Sequence, residues 1–283
     1  MINSWYPGHM TKARRMMEED IRLIDLVIEL LDARIPRSSR NPDIDDLAKG
    51  KSRLVLLNKS DLADPAINDS WYDFFTQKGY VTLLTDSKNR KGFAPIHKAV
   101  EQACAEKLER DRRRGITGRP VRAMVAGIPN VGKSTFINSL CKKASTKTGN
   151  KPGITKGKQW IRLDRSVELL DTPGILWPRF EDEKTGINLA LTGSISDQIV
   201  DETELAYALI GYLRINSRGT IAGRFEIDET GDTAAVLEGI AYRRGCLKKG
   251  GEPDLDKASH IILDEFRAGK LGRLSLEKPD KDW

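Results

Sequence analysis

The chain has 283 residues, of which 31% are charged and 39% apolar, and a formal net charge of +6. That length favours two domains or one large one with ample chain for a core, and no apolar run approaches the roughly 20 residues of a membrane span. Cys104, Cys141 and Cys246 are too few and too scattered for a disulfide framework or a zinc site, which points to a reducing cytosol. The opening Met1-Ile2-Asn3-Ser4-Trp5-Tyr6-Pro7 is not a basic-then-apolar leader, so a cytoplasmic location with no membrane partner is expected. Charge is uneven. Residues 191–283 carry 13 Lys and Arg against 17 Asp and Glu, a net −4, whereas residues 1–190 carry 34 against 24, a net +10. A polyanionic partner would therefore be met by local patches rather than by a basic tail.

In chain order, the pattern predicts a helix over 11–20 and then an apolar stretch at 23–31, which reads as a buried strand although it also suits a helix. Short, often β-branched runs at 53–57, 81–84, 122–126 and 167–170 read as further strands of a mostly parallel sheet, and 159–163 as an edge strand. Helices are predicted over 69–78, 95–112 and 133–142, and this alternation implies a doubly wound α/β layer. Beyond about residue 190 the strand signal mostly stops. Residues 202–213 place Leu205, Leu209 and Leu213 on one helical face, and 255–266 do the same with Ala258, Ile262 and Phe266. Gly245 and Gly269 follow basic stretches, as helix C-termini often do. The expected organisation is an α/β domain over 1–190 and a small all-helical domain over 191–283.

Gly127-Ile-Pro-Asn-Val-Gly132-Lys133-Ser134 fits the phosphate-loop pattern in the context that gives it meaning, after a strand and before a helix. Glycines let backbone N–H groups turn inward around phosphates, and the helix N-terminus adds the positive end of its dipole. Asn130, Val131, Gly132, Lys133, Ser134 and Thr135 form the predicted nucleotide-contacting run. Lys133 would reach the β- and γ-phosphates as the catalytic charge, and Ser134 would ligate Mg2+. Asp171-Thr-Pro-Gly174 follows the strand at 167–170. There Asp171 is the expected second Mg2+ contact, and Gly174 leaves its N–H room to approach the γ-phosphate. Between them, Thr155 is the candidate hydroxyl that closes on Mg2+ only when the γ-phosphate is present; the alternative is a solvated loop threonine.

Asn58-Lys59-Ser60-Asp61 ends the strand at 53–57. The Asp61 carboxylate can accept from guanine N1–H and N2–H2 together, whereas adenine offers no donor at N1. Asn58 can bond the base edge and brace the phosphate loop, while the Lys59 stem covers the base plane. Thr85-Asp-Ser87-Lys88, after the strand at 81–84, suits the loop that backs the base, with Ser87 as its contact. The base loop thus precedes the phosphate loop. All such loops sit at the carboxyl ends of parallel strands, so one site forms whichever comes first. The expected fold is a circularly permuted P-loop GTPase domain, binding GTP and GDP with Mg2+, followed by a small helical domain. The junction at 175–197 then runs from the Mg2+ loop into the second domain and is expected to transmit hydrolysis to it.

This order, with Trp5-Tyr-Pro-Gly-His9-Met10, Asp32-Ala-Arg-Ile-Pro36 and Arg244-Gly-Cys-Leu-Lys-Lys-Gly-Gly251, resembles the ribosome biogenesis GTPase A (YlqF-type) family over essentially the whole chain. The resemblance implies a cytoplasmic assembly factor of the large (50S) ribosomal subunit, binding the precursor in its GTP form and stimulated by it. It further implies ribosomal RNA contact by the helical domain, ribosomal proteins as neighbours, and a monomer away from the ribosome. It assigns His9 to hydrolysis and Asn130 to a K+ ion; on the residues alone, His9 also reads as a structural or RNA-facing group and Asn130 as a neutral loop residue. Ile175 occupies the place of a water-positioning glutamine and has no hydrogen-bonding group, so slow unassisted turnover is expected.

Two basic clusters are candidate RNA contacts or merely solvated surface: Lys107, Arg110, Arg112, Arg113, Arg114, Arg119 and Arg122, and then Arg243, Arg244, Lys248 and Lys249. Trp5 and Tyr6 suit either base stacking or burial. A signalling-type GTP switch acting on a protein effector shares every nucleotide motif. A metabolic phosphotransferase does not suit a loop that selects guanine.

Overall fold

The computed structural model describes residues 15, 18–144, 160–170, 182–195 and 200–280. The chain divides into two compact units, Ser4–Arg179 with Glu277–Trp283, and Phe180–Leu276. The last residues thus group with the front unit, where the sequence reading placed everything after 190 in the second.

In the front unit, β1 (Leu26–Asp32), β2 (Ser52–Asn58), β3 (Val81–Leu84), β4 (Val121–Ala126), β5 (Trp160–Arg162) and β6 (Val167–Leu170) form one sheet in the order β3-β2-β1-β4-β6-β5. Every pairing is parallel except that of the edge strand β5, where Trp160 lies opposite Leu170. The chain starts at the centre of the sheet with β1, moves out to β3, and returns to lay β4 on the other side of β1. The order therefore reverses between β1 and β4, which is where a crevice opens beyond the carboxyl ends of the strands.

All seven residues of β1 are buried, as a strand covered on both faces must be. It begins at Leu26 rather than at residue 23, because the preceding residues close a turn (Leu23 N–H to Asp20 O, 2.9 Å) before Asp25 N–H joins Arg122 O at 2.7 Å. Glu29 is tolerated inside the strand because its carboxylate accepts from Arg40 Nε at 3.0 Å and Arg53 Nε at 2.8 Å. Two clusters pack side by side on one face of the sheet, Ile21, Ile24, Val27, Ile44, Met124 and Leu170 in one and Leu31, Val55, Leu57, Trp71 and Phe75 in the other. Burial of each large side chain contributes about 1.5–3 kcal/mol.

The helices of this unit are α1 (Ile44–Leu47), α2 (Pro65–Gln77), α3 (Ile96–Ala103), α4 (Ala105–Arg113) and α5 (Lys133–Ala144). Helix α2 starts ahead of residue 69, the predicted start. Asp64 caps it, accepting from Ala66 N–H (2.8 Å) and Ile67 N–H (3.3 Å), and Pro65 supplies the first helical φ. The single helix predicted over 95–112 is two, α3 and α4, broken at the fully buried Cys104.

The second unit contains α6 (Glu183–Leu191), α7 (Glu202–Asn216), α8 (Thr220–Phe225), α9 (Thr233–Arg244) and α10 (Leu255–Arg267). Asp182, Asp201, Asp232 and Asp254 cap α6, α7, α9 and α10, each accepting from a backbone N–H of the first turn. The predicted faces of α7 and α10 are buried, Leu205, Leu209 and Leu213 against Ala258, Ile262 and Phe266, together with Val236 and Ile240 of α9. Gly245 ends α9 in the left-handed conformation at φ 67°. No described helix is long and apolar enough to cross a membrane.

Candidate functional site

Four chain segments leave the carboxyl ends of β1, β2, β3 and β4 at the reversal point. The β1–β2 register sets Asp32 opposite Asn58, and the β2–β3 register sets Leu57 opposite Leu84. The sheet thereby places the predicted base loop, its backing loop and the phosphate loop side by side, although they are far apart in sequence.

Asn58 joins all three. Its amide Nδ2 donates to the carbonyl of Val131, in the phosphate loop, at 2.8 Å. Its Oδ1 accepts from the backbone N–H of Ser87 (3.1 Å), from Ser87 Oγ (2.7 Å) and from Thr85 Oγ1 (3.3 Å). A buried amide with both ends engaged is a rigid brace. Two further clips tighten it: Ser60 N–H donates to Thr85 O at 3.1 Å, and Ser139 Oγ of α5 donates to Ser87 O at 2.8 Å. Leu62 N–H closes the turn onto Lys59 O at 2.9 Å, which leaves Asp61 half-buried at its end.

The phosphate loop is shaped for close backbone approach. Gly132 adopts φ +99°, and a Cβ there would lie 2.5 Å from Asn58 Nδ2; one on Gly127 would lie 2.9 Å from Leu30 O. Asn130 is exposed with φ 57°, Val131 is buried, and Lys133 is buried at the first position of α5, with Ser134 and Thr135 exposed beside it. These hydroxyls and amides at a helix N-terminus fit an anionic phosphate and an oxygen-seeking cation.

Of the predicted site residues, Asn58, Lys59, Asp61, Ser87, Asn130, Val131, Gly132, Lys133, Ser134 and Thr135 fall on these adjoining loops and the first turn of α5. His9, Thr155, Asp171 and Gly174 lie outside the described residues, as do Trp5, Tyr6 and Ile175.

The sequence reading quoted Asp32-Ala-Arg-Ile-Pro36 only for its resemblance and gave no role to the charged cluster it forms with Lys59. Asp32 is fully buried and accepts from Arg34 Nε (2.9 Å), Arg34 Nη2 (2.8 Å) and the Arg34 backbone N–H (3.1 Å). Lys59 Nζ lies 3.0 Å from Asp32 Oδ2. Burial alone would raise the Asp32 carboxyl, but the charges of Arg34 and Lys59 overcome it and hold the group well below the usual carboxylate range. A carboxylate ending an apolar strand was the available signal.

The basic clusters are partly spent on internal pairs. Lys107 is buried with Asp111 (2.9 Å) and Asp25 (3.5 Å), and Arg112 and Arg113 both meet Glu109. Arg244 pairs with Glu265 at 3.0 Å and lies over the Phe225 ring, and Arg243 pairs with Glu226. Lys248 and Lys249 are exposed.

A guanine-type loop braced against a phosphate loop, both at the reversal point of a doubly wound sheet, defines a P-loop GTPase whose G domain is circularly permuted. The family model described as 50S ribosome-binding GTPase matches residues 122–214. It begins at the strand that feeds the phosphate loop, leaving the base loop ahead of it unmatched, as a permuted chain requires. The ribosome biogenesis GTPase A of Bacillus licheniformis is 45% identical over 281 residues, covering 99% of each chain. That of Thermotoga maritima is 34% identical, covering 98% of this chain and 95% of that one. The crystal structure of GNP-bound YlqF from T. maritima superposes with a TM-score of 0.66 at 29% identity, covering 95% of this chain and 99% of that chain. Its GDP-bound form gives 0.65 at 30%. The chain belongs to the ribosome biogenesis GTPase A family.

Proposed function

We propose that this GTPase is a late assembly factor of the large ribosomal subunit, cytoplasmic and monomeric away from its particle. In this reading it docks on the precursor in the GTP form and hydrolyses GTP when the particle stimulates it. The observation that carries the nucleotide half of the reading is the Asn58 brace, which makes base loop and phosphate loop one site. The names of its relatives support the ribosomal half.

Asp61 selects guanine, Asn58 and Ser87 hold the loops that flank the base, and Lys59 covers its plane. Lys133 and the backbone amides of 130–135 hold the phosphates. Ser134, Thr155 and Asp171 would hold Mg2+, which would neutralise charge building on the β- and γ-phosphates. Asn130 supports a K+ ion in the same role, and comparing turnover in K+ and Na+ tests it. With Ile175 unable to orient water, His9 takes that task on the particle. His9→Ala should abolish stimulated hydrolysis while GTP binding persists; retained stimulation removes His9 from the mechanism.

Contact with ribosomal RNA falls to Lys248 and Lys249, to Arg243, whose exposed pair with Glu226 is weak enough to be exchanged for phosphate, and to Arg244, whose partner Glu265 is buried. The decisive experiment is GTP turnover with and without purified large subunits, with a salt titration of the complex. Stimulation and release by high salt are expected. Unchanged turnover with no binding would favour a switch that acts on a protein effector.

A further inference from the structure

The segment Asp32-Ala-Arg-Ile-Pro36 lies beside the site, and the function above gives it no task. A carboxylate offers about four acceptor positions. At Asp32, Oδ1 accepts from the backbone N–H and Nε of Arg34 at 3.1 and 2.9 Å, and Oδ2 accepts from Arg34 Nη2 at 2.8 Å. Arg34 is itself only 1% exposed and already bonds both oxygens, so the buried pair is neutral before Lys59 is counted. What remains is one position on Oδ2, and Lys59 Nζ takes it at 3.0 Å. Lys59 thereby gains a fixed anchor. Lys59 follows directly on Asn58, whose carbonyl is tied to Ala33 N–H at 2.8 Å, and it holds a left-handed backbone at φ 58°. Its side chain is 21% exposed. A lysine side chain carries about 2 kcal/mol of rotamer freedom. Pinned at its backbone and at its ammonium, this one surrenders that freedom before any ligand arrives.

We infer that Asp32 is a positioning residue for guanine nucleotides: its buried carboxylate, set by Arg34, anchors the Lys59 ammonium so that the lysine stem is already in place to cover the base. The inference rests on reading 58–61 as the base loop. One carboxylate beside two cations also leaves a positive charge in excess, which suits an anionic ligand.

The test is titration of the full chain with a fluorescent GDP analogue, in parallel with thermal melting. Asp32→Asn keeps the side-chain volume and removes the charge that anchors Lys59. It is expected to weaken GDP binding roughly tenfold or more and to add little further loss in a Lys59→Met background. Because Asp32→Asn leaves Arg34 buried without its counter-charge, the pair Asp32→Asn/Arg34→Met repeats the test with both charges removed. Several results overturn the inference. One is a lowered melting temperature with GDP affinity unchanged; another is an equal affinity loss with and without the Lys59→Met change. Failure of both Asp32 variants to fold would assign the residue to structure alone. If Lys59→Met costs no affinity, the inference falls while guanine recognition by Asp61 stands. If the unaltered chain does not bind the analogue, the base-loop reading falls with it.

Discussion

Each polar atom of the Asn58 amide has a partner on a different loop, so small changes there should have separable effects. Asn58→Ala strands the Val131 carbonyl and the Ser87 donors, which costs about 1–3 kcal/mol. The expected result is a lower melting temperature together with loss of GDP binding. Gly132→Ala attacks the same brace from the other side, since the new Cβ would stand 2.5 Å from Asn58 Nδ2 at a φ of +99°. Gly50→Ala is its control: φ is +77° there but nothing lies within 4 Å, so only backbone strain of about 1–2 kcal/mol is added. Binding of a fluorescent GDP analogue should fall for Gly132→Ala and hold for Gly50→Ala; equal behaviour would refute the brace.

Glu265 governs a pH effect in the helical unit. The hydrogen bond from Arg224 lowers its carboxyl, against burial, with the Arg244 charge adding to the same side. A carboxyl lowered in the folded state gives stability that is complete above the ordinary glutamate value of about 4.3 and is lost as pH falls through the folded value. Glu265→Gln should therefore lower the melting temperature at pH 7, and the difference from the unaltered chain should narrow on acidification. A difference independent of pH would rule this out.

At the scale of elements, the last described stretch, 277–280, behaves as part of the α/β unit. The Glu277 carboxylate accepts from the backbone N–H of Arg37 at 2.8 Å, from that of Ser38 at 3.2 Å, and from the Ser38 hydroxyl. Its carbonyl accepts from Trp71 Nε1 of α2 at 3.2 Å. Trp71 is fully buried among the aromatic residues of α2, so the tail closes over a core side chain. Glu277→Ala leaves the Arg37 and Ser38 donors without their carboxylate acceptor and should destabilise the unit by about 1–3 kcal/mol. Asp280→Ala removes only an exposed pair with Arg37 and should change the melting temperature little. Similar effects from the two would mean that the tail contact contributes nothing specific.

For the whole molecule, the chain passes from the front unit into the helical unit at 179–180 and comes back at 277. Under the proposed function, these two crossings are the routes by which a signal between nucleotide and particle would travel along the chain. A long flexible linker ahead of Asp182 loosens one of them, and combined with Glu277→Ala it loosens both. Pelleting with large subunits in GTP and in GDP should show full dependence in the unaltered chain, partial dependence with the linker alone, and none in the combined variant. Undiminished dependence in the combined variant would exclude transmission through the chain.

The sequence by itself determined the class of the protein, because its evidence is local. A phosphate loop is read from eight consecutive residues, a base loop from four, and parallel strands from short, mainly apolar runs such as 81–84 and 167–170, which are strands over those same residues. The helices α6, α8 and α9 were less legible. Two of them are under ten residues long, and alanines and glycines blur the periodicity of the faces all three bury. What only the tertiary structure decided is which polar groups spend themselves on one another. The meetings of Asp32 with Lys59, Asn58 with Val131, Arg244 with Glu265 and Glu277 with Ser38 all depend on strand register or on helices brought together from distant parts of the chain. Such pairs leave no spacing rule in the sequence, since their geometry exists only once the apolar surfaces between them have packed.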